Sequence, residues 1–107
     1  MLHEVYIALV KNKIVYIGSG KLNRHQHITS GVSHVYMLNK ITFTAPNTIK
    51  VMVLHSNLTK ERSLELEMSL IEEYQPAFNS IGTKSLNNKY EQQYYYEELI
   101  KEDTKKK

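Results

Sequence analysis

Two short β-rich runs near the start of the chain constrain its fold most. Val5-Tyr6-Ile7-Ala8-Leu9-Val10, preceded by Glu4, and Ile14-Val15-Tyr16-Ile17 are separated only by the polar Lys11-Asn12-Lys13. That spacing predicts a β-hairpin with a short loop. Both runs are apolar almost without interruption, so neither face of the hairpin suits water and helices are expected to pack on it. Gly18 and Gly20 come directly after. They are expected to end the second strand, as glycine does where a backbone turns sharply or comes close to a ligand.

The next stretch, Lys21 to Thr29, is polar and basic, with Arg24, His25 and His27 and few apolar positions beyond Leu22 and Ile28. It reads as a short helix closed by Ser30-Gly31. Ser33 is placed to cap a second helix, in which Val35, Leu38 and Ile41 or Thr42 line one face. Thr44-Ala45-Pro46-Asn47-Thr48 is turn chemistry. Ile49 to His55 then reads as a third strand, apolar on both faces.

A longer helix is expected between Thr59, a suitable cap, and Pro76. At about 100° per residue, Leu64, Leu66, Met68, Leu70, Ile71 and Tyr74 spread over one arc, with Glu67 near its middle. Glu61, Glu65, Glu72 and Glu73 fall on the opposite, solvated side. A carboxylate on an apolar face is costly unless a cation, a donor network or a metal compensates it. Glu67 is therefore either a buried acid paired for structure or a ligand.

At 107 residues the chain is long enough for one core. The formal charge of +3 includes Lys105-Lys106-Lys107, so it points only weakly to an anionic partner. Absence of cysteine excludes disulfides, thiolate zinc sites and a thiol nucleophile. No apolar run reaches the roughly 20 residues of a membrane span, and the first residues lack the pattern of a signal peptide, so no membrane association is expected and a cytoplasmic location is. A first unit is expected over 1–82, with a tyrosine-rich helical extension over 83–107. Tyr90, Tyr94, Tyr95 and Leu99 would pack one face of that helix, with a basic tail beyond it.

Tyr6, the strand end Tyr16-Ile17-Gly18, Arg24, Glu67 and Asn79, taken in this order, resemble the GIY-YIG nuclease domain over about residues 4 to 80. A second match is independent of the first: Glu67-Met68-Ser69-Leu70-Ile71 through Tyr74-Gln75-Pro76-Ala77-Phe78-Asn79 is similar to the family's ending of acid, apolar pair, proline and asparagine. Two departures accompany it. Glu4 stands where the family name has glycine, and Ile28 occupies the position of the family's histidine or tyrosine four residues after the arginine. His25 and His27 are the nearest substitutes, and the sequence leaves open which one faces the site.

The resemblance implies an α+β fold, a three-stranded mainly antiparallel sheet flanked by helices, and a small metal-dependent endonuclease of phage or mobile-element type. Glu67 would hold one divalent ion, Mg²⁺ or Mn²⁺, which suit a lone hard carboxylate with waters better than zinc does. Arg24 would clamp the scissile phosphate with its planar fork of donors. Tyr6 or Tyr16 would take the proton from the attacking water, with Arg24 and the metal lowering the phenol's pKa. Asn79 would orient these groups, and His27 stands among the expected catalytic residues. Gly18 would admit the DNA backbone, while Ser19, Lys21, His25, His34 and Lys40 are expected nucleic-acid contacts. DNA is the preferred substrate over RNA, and a double-strand break would need two subunits, as in a homo-oligomer, or two visits. The alternative is a non-catalytic nucleic-acid or protein-binding module on the same scaffold.

Overall fold

The structure, a computed structural model, describes residues 2–31, 35–79, 94 and 96–98. Strands β1 (His3–Val10) and β2 (Lys13–Lys21) form the expected hairpin. Its turn is tighter than the sequence suggests. Lys11 and Asn12 both take positive φ, 52° and 68°, which matches a two-residue turn to the twist of the strands. The register slips between Ala8 and Leu9, leaving Val15 as an extra residue opposite the Ala8–Tyr16 and Leu9–Ile14 pairs, a β-bulge.

Gly18 and Gly20 do not end β2. The strand continues through them to Lys21, with Gly18 opposite Tyr6 and Gly20 opposite Glu4. The glycines serve side-chain packing rather than chain reversal. A Cβ on Gly18 would lie 2.7 Å from the Tyr6 ring and hydroxyl, and one on Gly20 would lie 2.9 Å from the Arg24 stem. The helix expected over Lys21 to Thr29 is correspondingly reduced to α1 (Gln26–Thr29), because residues 22–25 are taken up by turns and Asn23 adopts φ 73°.

Helix α2 (Tyr36–Thr44) starts after an extended Val35 without a side-chain cap, and Ser33 lies outside the described residues. Leu38 and Ile41 are fully buried, as the periodicity predicts. A short 3₁₀ turn (Pro46–Thr48) leads into β3 (Ile49–Leu58). Helix α3 (Lys60–Tyr74) begins where Thr59 accepts a hydrogen bond from the Arg62 amide, and it ends at Gln75 in the left-handed region.

The sheet runs β2-β1-β3 and every pairing is antiparallel. The chain is thus a mixed α and β fold with an open three-stranded sheet. Strand alternation splits the core in two. Tyr6, Ala8, Val10 and Tyr16 face α1 and α2, packing with Ile28, Leu38, Ile41 and Phe78. Val5, Ile7 and Ile17 face α3, packing with Ile71 and, at the margin, Leu66 and Leu70.

Two expectations about apolar faces are corrected. Helix α3 packs on β2 and β1, so β3 is apolar on both faces but not covered on both: Met52, Val53 and Leu54 are exposed. The arc on α3 is narrower than the periodicity indicates. Leu64, Met68 and Tyr74 are exposed, while Ser63 and Ile71 face inward. Near the C-terminus Tyr94 is exposed, and it is Tyr96 that packs into the core, its hydroxyl 2.6 Å from Thr44 Oγ1. Tyr90, Tyr95 and Leu99 lie outside the described residues. No helix of the described residues is long and apolar enough to cross a membrane.

Candidate active site at the rim of β2

The glycine end of β2 is where side chains from both faces of the sheet meet. On one face the Tyr6 and Tyr16 rings lie 6.4 Å apart, tilted at 43°. Both reach over Gly18, whose missing side chain leaves the space they fill: a Cβ there would also come within 2.9 Å of the Tyr16 ring. Gly18 is therefore a seat for the tyrosines. The Arg24 stem crosses Gly20, and its charge acts on Tyr6 and Tyr16.

Glu67 comes from the other face. It lies on the sheet side of α3, half-buried, and its Oε2 accepts a hydrogen bond from Ser19 Oγ. Ser19 points to the α3 side because it alternates with Gly18 along the strand. The charge of Glu67 is nevertheless felt by both phenols, raising each. The carboxylate and the tyrosines thus approach the edge of β2 from opposite faces. Ser19 is a carboxylate partner, a role that its place among nucleic-acid contacts does not foresee.

In the chain itself, burial outweighs Arg24 at the tyrosines. Burial, the largest influence, pushes the Tyr6 hydroxyl above its usual value, and the Arg24 charge only partly offsets it. Tyr16 is pushed up further, again mainly by burial, with the neighbouring Tyr6 and Glu67 adding to it. Arg24 lowers both, as anticipated, but desolvation wins.

Asn79 binds the backbone of β2. Its side-chain Oδ1 accepts from the Ile17 amide at 2.9 Å, and its Nδ2 donates to the Ile17 carbonyl at 2.8 Å. The Phe78 amide donates to the Val15 carbonyl at 2.8 Å. The segment after α3 therefore seals the outer edge of β2 and fixes the backbone between Tyr16 and Gly18. The expected orienting role of Asn79 would act through that strand.

Of the two histidines, His25 is the one beside the tyrosines, its ring 6.3 Å from that of Tyr6. His27 is exposed on α1. Lys21 is exposed at the end of β2, and Lys40 lies over the Tyr96 ring at 4.7 Å. His34 lies outside the described residues.

Glu4 is the residue that sequence reasoning undervalues. It is 2% exposed, and its carboxylate accepts from the Asn23 amide (2.8 Å), the His25 amide (2.9 Å) and His25 Nδ1 (2.7 Å). Those bonds pin the turn that carries Arg24. A charged residue inside an apolar strand is the signal that points to it.

Among the described residues no three His, Cys, Asp or Glu side chains gather as a metal cage. Glu67 with the Ser19 hydroxyl beside it fits instead an ion that keeps most of its waters, as Mg²⁺ and Mn²⁺ do. A scan against known protein families, a search of curated proteins and a search of solved structures each find no match to this chain.

Proposed function

We propose that the rim of β2 is the centre of a metal-dependent phosphodiester hydrolase acting on DNA. One observation carries the reading: an arginine and two phenols from one face of the sheet meet a carboxylate from the other around two side-chain-free strand positions. Phosphodiester hydrolysis needs charge stabilisation of the phosphoryl oxygens, an activated water and help for the departing oxygen, with the entering and leaving oxygens in line. Groups divided between two faces of a strand edge suit that geometry, because a phosphate at the rim has one set on either side.

Arg24 binds two phosphoryl oxygens through its fork of donors. Tyr6 and Tyr16 donate hydrogen bonds to the same phosphate, and in the resemblance one of them accepts the proton of the attacking water. Glu67 and Ser19 would hold the divalent ion, which would supply Lewis-acid stabilisation of the leaving oxygen. A binding module would need the arginine and the aromatic groups, but a carboxylate beside the phosphate would repel its ligand.

Conversion of supercoiled plasmid to nicked circle in Mg²⁺ or Mn²⁺ tests the reading. Wild-type nicking that is reduced in Arg24→Lys supports it, since lysine keeps the charge and loses the fork. No nicking with either ion overturns it. A parallel RNA substrate at fixed salt tests the preference for DNA.

A further inference from the structure

The chemistry above leaves Glu4 unused, although its environment is the most elaborated in the rim. Two backbone amides already satisfy the pinning of the 23–25 turn, and the ring of His25 adds a third bond. Desolvation is the largest influence on this carboxyl and pushes it up, but the amides of His25 and Asn23 and the His25 ring together leave it below the usual range. At neutral pH Glu4 is therefore ionised and accepts only. His25 Nδ1 must then carry the hydrogen of their 2.7 Å contact. In a neutral imidazole that leaves Nε2 with a free lone pair, the form of a base.

The position of this ring matters as much as its tautomer. His25 lies next to Arg24 in the chain, its ring neighbours Tyr6 on the face away from α3, and its side chain is 26% exposed against 3% for that of Glu4. It stands on the side of the rim opposite Glu67. That is the side from which water would attack if the departing oxygen lies toward the carboxylate. The tyrosines, by contrast, are buried, which raises both phenols.

We infer that His25, oriented by Glu4, is the base that takes the proton from the attacking water, while Tyr6 holds the phosphate beside it. The inference rests on the hydrolase reading above. In the step, the water oxygen bonds to phosphorus as its proton passes to His25 Nε2. The phosphorus–oxygen ester bond breaks, and the departing oxygen is protonated from solvent. The imidazolium formed lies against the Glu4 carboxylate, which stabilises it until Nε2 releases the proton to solvent.

Plasmid nicking by the full chain, with melting curves for every variant, tests this. His25→Gly is expected to slow nicking at least about a hundredfold and to regain rate when imidazole is added. His25→Asn keeps an amide able to donate to Glu4 but has no basic nitrogen, so it is expected to melt like wild type and to be as slow. It serves where His25→Gly fails to fold. Tyr6→Phe should lose less than either. A folded His25→Asn at the wild-type rate, or a folded, slow His25→Gly that gains nothing from imidazole, overturns the inference and leaves the hydrolase reading standing. Absence of nicking by wild type removes both.

Discussion

The two edges of the sheet are built from similar residues and end in opposite states. β2 and β3 are both mainly apolar, yet Val15, Tyr16 and Ile17 are buried while Met52, Val53 and Leu54 are exposed. The difference lies in the chain that packs on each strand. The segment after α3 runs along β2, with Phe78 and Asn79 bonded to the backbone of Val15 and Ile17, and α3 lies over β2 and β1. β3 receives no comparable cover among the described residues. The candidate chemistry therefore sits at the edge whose backbone is tied down. A phosphate-binding group displaced by about 1 Å loses much of its effect.

The contrast between the edges can be broken at several points. Arg24→Ala removes the proposed phosphate clamp from the sealed edge and is expected to reduce nicking by about a hundredfold to a thousandfold, in line with loss of a charge-stabilising donor. Asn79→Ala strips two bonds from buried Ile17 and should cost about 2–4 kcal/mol in a denaturant titration, most of it from unsatisfied backbone groups. Gly18→Ala forces a Cβ to within 2.7 Å of Tyr6, and a loss of about 1–3 kcal/mol is expected together with impaired nicking.

Two smaller effects sharpen the contrast. Tyr16 titrates higher in the folded chain than its ordinary value of 10.0, so its contribution to stability is present below that pH and is lost as pH rises. Melting temperatures taken across that range should fall less steeply for Tyr16→Phe than for wild type. On the open edge, Met52→Lys should change stability by no more than about 0.5 kcal/mol and leave nicking unaltered. A large loss there would mean that β3 is covered in solution.

Much of the fold is readable from the residues. The hairpin, the cap at Thr59, the stop at Pro76 and the inward face of α2 come from local pattern, because periodicity and capping act over a few residues. The exposure of β3 and of Leu64 and Met68 is not readable, since an apolar residue states what it tolerates and not which helix reaches it. The continuation of β2 through Gly18 and Gly20 escapes local pattern for a related reason. Glycine's local meaning as a breaker is overridden when Tyr6 and Arg24, which sit over these positions, need the space. Asn79 stands out in the sequence, but its partner is the Ile17 backbone, which no spacing reveals. Glu4 reads as a tolerated substitution because its three donors come from a turn some twenty residues on.

The central claim is that groups on both faces of the β2 rim act on one phosphate, and the nicking rate of Glu67→Ala against wild type in Mn²⁺ tests it most directly. Loss of the carboxylate proposed to hold the ion should remove several kcal/mol of transition-state stabilisation, a reduction of about a thousandfold or more, with the fold intact by melting. Nicking by a folded Glu67→Ala at the wild-type rate would contradict the claim.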